Sequence, residues 1–487
     1  MKLKKHELLV MLIMTFAIGF FGAILLINAI KPNTAEQQGM TSILLSDKIS
    51  QEFDEGFINV KRAYELISEH YYTEVDPKEL LEGAIQGMLD TLDDPYSSYM
   101  NEEAVERFNE QLQSSFQGIG AEVSMINDKV TIVAPIKGSP AEKAGLRPND
   151  QILKVDNESL DGYDLNEAVE KIRGEKGTKV VLTIQREGAS EPFDVEIIRD
   201  DIPLITVEAE LKDIDGKKTG IIEISTFSET TSEEFAEALY EFEEAGMDGL
   251  VIDVRGNPGG LLQSIEEVLH HFIPKDVPYL QTEDRSGKRE KYYTNLEEKK
   301  PYPITILIDE GSASASEILA VAMKEIGYDV VGKTSFGKGT VQQAVPLTDD
   351  RNGSTIKLTF YKWLSPEGNW IHEKGVEPTV EQDQPEFYYG NPIIVEDDPL
   401  SLDESSEQIK NAQLLLEGIG YDPGRKDGYF DEQMKKAVEK FQQDFDLQPT
   451  GEIDVETARA IEMEVMEQIR SGEQDLQLQK ALEVLYQ

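Results

Sequence analysis

Apolar and polar positions divide this chain into segments of different rhythm. Leu8 to Ile30 carries no charged side chain over 23 residues, long enough to cross about 30 Å of hydrocarbon. Lys2, Lys4 and Lys5 precede it and favour a cytoplasmic N-terminus with the body outside. The apolar region of a cleaved signal peptide is shorter, about 7–15 residues. Residues 1–32 are therefore expected to form a cytoplasmic tip and a retained single-pass anchor. Residues 33–115 read as helical, with 3.6-residue apolar spacing in FINVKRAYELISEHYY and ELLEGAIQGMLDTL. The stretch DDPYSSYM then breaks the pattern.

From 116 to 200 the rhythm changes to short β-branched runs, VTIVAPI, QILKVD and KVVLTIQRE, around one helical segment, LNEAVEKIRG. Residues 201–385 alternate strand and helix. Prolines and acids mark 386–407 as a linker. A small helical unit is expected over 408–470, and the tail 471–487 fits one amphipathic helix.

Composition narrows the function. With 487 residues the chain is too long for one core. Asp plus Glu number 94 against 47 Lys plus Arg, a net charge of −47, which phosphate backbones repel, so nucleic-acid binding is set aside. The chain has no cysteine, which excludes disulfides, thiol nucleophiles and thiolate metal sites.

Candidate chemistry lies in two strand–loop–helix units of the middle region. LVIDV leads through RGNPGG into LLQSIEEVLHHF, and ITILIDE leads through GSAS into ASEILAVAMKEIG. Glycines at such junctions allow close backbone approach, and the free N–H groups of a helix start favour a negative oxygen. Ser314-x-x-Glu317 ahead of an apolar run also reads as a capping box, so the serine is either a cap or a nucleophile. A nucleophile needs a base. Of the five histidines, His372 in NWIHEKGVEP is the one credible triad partner. The alternative is Lys338 in SFGKGTVQQAVPL, which shares one strand face with Thr340 and Gln342. Burial would favour the uncharged amine, and a neighbouring amide, Gln342, could orient it. Gly332 to Gly339 nearly matches a phosphate-binding loop, but Gly339 stands where Ser or Thr is needed and a strand-like run follows.

DDPYSSYM, GIGAEV, DVRGNPGGLL, GSASASEI and TSFGKGTVQQ, in that order between about Tyr64 and Val380, together resemble the carboxy-terminal processing peptidases, serine–lysine proteases carrying a PDZ domain. The resemblance implies that Ser314 is the nucleophile, Lys338 the general base and Gln342 its support. It implies an oxyanion hole of backbone N–H groups from Gly259 or Gly260 and from Ala315, and no metal or organic cofactor. It identifies 116–200 as a PDZ domain whose Gly118-Ile119-Gly120-Ala121 loop receives a peptide C-terminus, with Arg173 as a candidate contact to the protease body. It also implies a core of crotonase/Clp-like type. Residues 408–470 resemble the three-helix peptidoglycan-binding module, carried by Leu415, Gly420, Tyr421, Asp427, Gly428, Phe430, Ala437, Val438, Phe441, Gln442, Gly451 and Thr457.

The expected molecule is a multidomain α+β protein: a single N-terminal transmembrane helix, a helical N-terminal region, a β-rich PDZ domain, an α/β protease core and a three-helix C-terminal module. The expected function is a membrane-anchored, extracytoplasmic endopeptidase that cuts protein substrates near their C-termini. It is expected to dimerise through the helical N-terminal region, to contact peptidoglycan, and to bind no nucleic acid. The alternatives are an inactive PDZ and wall-binding scaffold, and a Ser–His protease using His372.

Overall fold

The computed structural model describes residues 47–487 apart from 114, 127–128, 137, 187–188, 190, 349–352 and 396–397. The expected anchor, Leu8 to Ile30, lies outside the described residues, among which no helix is long and apolar enough to cross a membrane. The chain divides into two compact units, Met1–Asp93 and Asp94–Gln487. The first holds helices α1 (Asp47–His70) and α2 (Pro77–Asp90). Pro77 opens α2, and Asp76 caps it by accepting the Lys78 N–H at 2.7 Å. The helical region expected over 33–115 is thus cut at Asp93. Its last part forms β1 (Ser98–Met100) and α3 (Glu102–Gln113) of the second unit.

The next segment is a β-rich domain. It comprises β2 (Ser115–Gly118), β3 (Ala121–Ile126), β4 (Lys129–Pro135), the short helix α4 (Pro140–Lys143), β5 (Gln151–Val155), β6 (Glu158–Ser159), α5 (Leu165–Ile172), β7 (Lys179–Gln185), β8 (Phe193–Ile198) and β9 (Asp200–Pro203). Its antiparallel sheet runs β3-β4-β5-β7-β8, with β6 on β5, while β2 and β9 pair separately. The alternating positions Val180, Leu182 and Ile184 of β7 point into its core with Ile132, Ile152 and Ala168.

The α/β core follows: β10 (Val207–Ile214), β11 (Lys217–Ile224), α6 (Thr231–Glu244), β12 (Gly249–Asp253), α7 (Leu262–Leu269), β13 (Pro278–Glu283), β14 (Arg289–Tyr293), β15 (Ile304–Ile308), α8 (Ala315–Glu325), β16 (Asp329–Gly332), β17 (Thr340–Pro346), β18 (Thr355–Leu364) and β19 (Val380–Glu381). The main sheet has the order β10-β11-β12-β15-β16-β19 and is parallel from β11 onward. Every residue of β12 and β15 is buried, as their mostly apolar runs require when both faces are covered. Helices α6, α7 and α8 share the core of one face. The opposite face, with Val251, Leu307 and Val331, is covered by Ala481 and Leu485 of the last helix of the chain. A second sheet, β1-β18-β13-β14 with β17 on β18, brings the Ser98 segment beside the Lys338 segment.

The C-terminal helices are α9 (Glu407–Gly418), α10 (Glu432–Asp444), α11 (Val455–Ser471) and α12 (Leu476–Leu485). The first three close a small core on Phe430, Val438 and Phe441. The proposed linker 386–407 needs correction. Phe387 and Ile393 are buried in that same core, so the stretch that carries them belongs to the module and is not a free linker. The tail does form a helix, and one fixed to the protease sheet. Arg255, beside the GNPGG turn, bonds both carboxylate oxygens of Asp475 at 2.9 and 2.8 Å, and Tyr486 meets Thr219 at 2.6 Å.

Candidate active site

The parallel strands β12, β15 and β16 end on the same side, and the loops that follow carry the candidate residues, the usual place for a site in such a sheet. Of the three serines in GSASASEILA, two hydroxyls are structural. Ser312 Oγ donates to Val254 O at 2.7 Å and Ser316 Oγ to Asn257 O at 3.0 Å, and both serines are fully buried. Ser314 lies between them, half-buried and lining a cleft of roughly 460 Å³. Its backbone has φ 53° and ψ −109°, a conformation that costs a non-glycine residue about 1–3 kcal/mol. Asp309 Oδ1 holds the loop there by accepting the N–H groups of Gly256, Gly311 and Ser312 at 2.7, 2.9 and 3.1 Å.

The Pro-Gly-Gly turn fits against this serine only as glycine. A Cβ on Gly259 would lie 2.8 Å from Ser314 Cβ, and one on Gly260 would lie 1.9 Å from Phe227 O. Asn257, fully buried, organises the turn: its Nδ2 donates to Ile224 O at 2.7 Å and its Oδ1 accepts the Gly259 N–H at 2.8 Å. This narrows the pair of candidate oxyanion glycines. The Gly259 N–H is committed, whereas those of Gly260 and Ala315 have no acceptor among the described residues. Gly259 serves by close approach instead.

Glu317 ties the nucleophile loop to the base loop. Its carboxylate is completely buried and accepts the Ser314 N–H at 2.8 Å, Ser335 Oγ at 2.6 Å, the Gly337 N–H at 2.7 Å and the Lys338 N–H at 2.8 Å. Four donors satisfy a charge that would otherwise be costly to bury.

Lys338 enters the same cleft as Ser314. Its carbonyl accepts Trp363 Nε1 at 2.7 Å, and its Nζ lies 5.0 Å from the centre of the Tyr96 ring. Burial pushes its pKa below the usual lysine range, and the charge of Lys357 pushes the same way against Glu317 and Asp94. Gln342 shares the cleft, but its amide N–H groups go elsewhere, to Thr340 Oγ1 and Thr359 Oγ1 at 2.9 Å each. With both amide hydrogens engaged there, Gln342 has only its side-chain oxygen left to offer, so it can act toward the cleft as an acceptor and not as a donor. Thr359 is fixed in turn: its N–H donates to Ser97 Oγ at 3.1 Å, and Ser97 Oγ donates to Asp94 at 2.6 Å. DDPYSSYM thus backs the base, a role its sequence does not signal.

His372 does not line the cleft. Its ring stacks on Trp370 at 5.0 Å and its Nδ1 accepts the Gly339 N–H at 3.3 Å. In the β-rich domain, Gly118, Ile119 and Gly120 are buried and Ala121 is half-buried. Gly120 has φ 74°, and its carbonyl accepts Ser139 Oγ at 2.8 Å. Arg173 Nη1 meets Glu110 of α3 at 3.0 Å; that helix lies outside the protease core 201–385, though its Phe108 and Leu112 line the cleft.

Residues 218–382 match Peptidase family S41, 131–186 a PDZ domain, 13–104 the activating protease CtpB N-terminal domain and 405–461 a putative peptidoglycan binding domain. The carboxy-terminal processing protease CtpB of Bacillus subtilis is 51% identical over 96% of this chain and 96% of its own length. CtpA of the same organism is 40% identical over 91% and 93%. Among solved structures, the photosystem II D1 C-terminal processing protease aligns with a TM-score of 0.41 and 26% identity, covering 66% of this chain and 92% of that one.

Proposed function

The chain belongs to the carboxy-terminal processing serine peptidases of family S41, and from that premise we propose a Ser314–Lys338 endopeptidase, anchored in the membrane and facing outward. Ser314 attacks the scissile carbonyl, uncharged Lys338 takes its proton and returns it to the leaving amine, and the Gly260 and Ala315 N–H groups receive the oxyanion. The observation that carries this reading is the Glu317 carboxylate. It bonds the backbone of Ser314 and of Lys338 at once, so one buried group sets nucleophile and base together. Apolar cleft walls from Phe227, Leu262, Ile318 and Val341 suit an apolar side chain beside the cut bond.

The PDZ domain is proposed to bring substrate C-termini, with Gly118 to Ala121 as the carboxylate loop. The helical C-terminal module is proposed to contact peptidoglycan. Exposed Val60, Leu66, Leu81 and Met88 on α1 and α2 support a homodimer through the N-terminal unit, and a monomeric mass in solution would count against it.

The test is cleavage of an unstructured protein with an apolar C-terminus by the full-length protein in detergent, followed by mass spectrometry. Wild type should cut, with chelator present or absent, and folded Ser314→Ala and Lys338→Ala should be silent. Cutting by Lys338→Ala would move the base elsewhere, with His372→Ala the next variant. Tight binding without cutting by wild type would favour the scaffold.

A further inference from the structure

Lys357 is a second lysine of the cleft, and the mechanism does not use it. It stands on β18 with Ala344 of β17 on one side and Ser98 of β1 on the other, and it lines the cavity together with Ser314 and Lys338. Its Nζ lies 5.4 Å from the centre of the Phe108 ring on α3. The side chain is half-buried, yet among the described residues its ammonium makes no ion pair and no hydrogen bond.

That isolation is out of keeping with this chain, where acids outnumber bases two to one. Lys333 holds both Glu310 and Asp383, and Lys176 holds both Asp200 and Asp201. An ammonium carries three donors, and placing it part-way out of water without an acceptor is unfavourable. Burial accordingly pushes the Lys357 pKa down. Small Ala344 opposite leaves the ammonium facing the cleft.

We propose that Lys357 is a carboxylate subsite, receiving an anionic group of the substrate next to the bond that Ser314 attacks. A carboxylate there would supply the missing acceptor and would fix the position of the substrate chain. Two sources share this chemistry: the α-carboxylate of a short C-terminal tail lying in the cleft, and an acidic side chain. The inference rests on the Ser314–Lys338 reading, because it places substrate in that cleft.

The experiment uses the full-length protein in detergent and two matched pairs of peptides. One pair differs in a free or amidated C-terminus; the other is amidated throughout and carries Asp or Asn on the C-terminal side of the cut. The preference for the anionic member is read as a ratio of kcat/KM. In Lys357→Met one of these preferences should fall about tenfold, mostly through KM, since charge-assisted bonds are the strong ones. Loss in the first pair assigns the α-carboxylate, and loss in the second assigns an acidic side chain. Lys357→Arg should keep the preference; because a guanidinium cannot serve as a base, retention also separates binding from proton transfer.

Wild type alone gives a second readout. The preference should decline as pH rises through the titration of Lys357, while titration of Lys338 acts on both peptides and cancels. The cross-strand neighbours Ala344 and Ser98 and the ring of Phe108 do not titrate in this range, leaving Lys338 as the other ionisable group lining the cleft. Preferences equal in wild type and Lys357→Met, or independent of pH, would overturn the subsite. Failure of the underlying reading would look different, with wild type and Ser314→Ala giving the same products.

Discussion

Two helices of this protein start with the same four-residue pattern, Ser139-Pro-Ala-Glu142 at α4 and Ser314-Ala-Ser-Glu317 at α8. At α4 the serine is an ordinary cap. Its backbone is extended, with φ −71° and ψ 164°, its hydroxyl accepts the Glu142 N–H at 3.2 Å, and it is buried against Gly120 O. Glu142 is exposed and accepts the Gly138 N–H at 2.7 Å, its one bonded donor among the described residues. At α8 the serine has positive φ and its side chain stands in a cleft, while the glutamate is buried and accepts four donors. A shared local motif therefore served opposite ends. What separates them is the surrounding backbone: Gly259 and Gly260 pack where any side chain would collide, and the Asp309 carboxylate holds the turn in its strained form.

The comparison breaks most sharply at the serines. Ser314→Ala should lower kcat by about 10⁴-fold or more while leaving thermal unfolding near wild type. Activity within tenfold of wild type would return Ser314 to the role of a cap. Gly260→Ala comes next, with an expected loss of about 10²–10³-fold from a displaced oxyanion donor, measured on a folded sample. The glutamates sharpen the contrast. Glu317→Gln should cost about 2–4 kcal/mol in chemical denaturation and reduce turnover, because four donors lose a charged acceptor. Glu142→Gln, exposed, should cost a few tenths at most.

A smaller effect concerns pH. Lys338 must be uncharged to act, so kcat/KM should rise with pH through its depressed pKa. Lys357, charged, depresses that pKa, whereas Glu317 and Asp94 raise it and Tyr96 covers the amine. Lys357→Met removes a like charge, so the rising limb should move to higher pH; a shift to lower pH would contradict the placement of the two lysines. On the α4 side, Ser139→Ala should cost about 1 kcal/mol of stability, as loss of a cap does, with activity retained.

Strand and helix types in the α/β core were legible because LVIDV and ITILI are mostly apolar runs, broken only by Asp253 and Thr305, and such runs need cover on both faces. Which segment supplies the second cover was not legible. It is α12, which starts 168 positions after β15 ends. The linker reading failed for a related reason: composition reports prolines and acids, whereas Phe387 and Ile393 belong to a core formed with helices further along.

The site divides in the same way. Sequence by itself supplied the residue types, their order and their loops: a serine before a helix, a lysine before a strand, a Pro-Gly-Gly turn between strand and helix. Those are local properties, set by backbone conformation and by side chains a few positions apart. Tertiary structure alone decided that Gly259 gives its N–H to Asn257, that Gln342 turns its amide hydrogens to Thr340 and Thr359, that Asp94 and Ser97 stand behind them, and that Lys357 faces the cleft with no acid paired to it among the described residues. Hydrogen bonds and desolvation act over a few ångströms of space irrespective of separation along the chain, so partners such as Ser97 and Thr359, 262 positions apart, leave no periodic trace in the sequence.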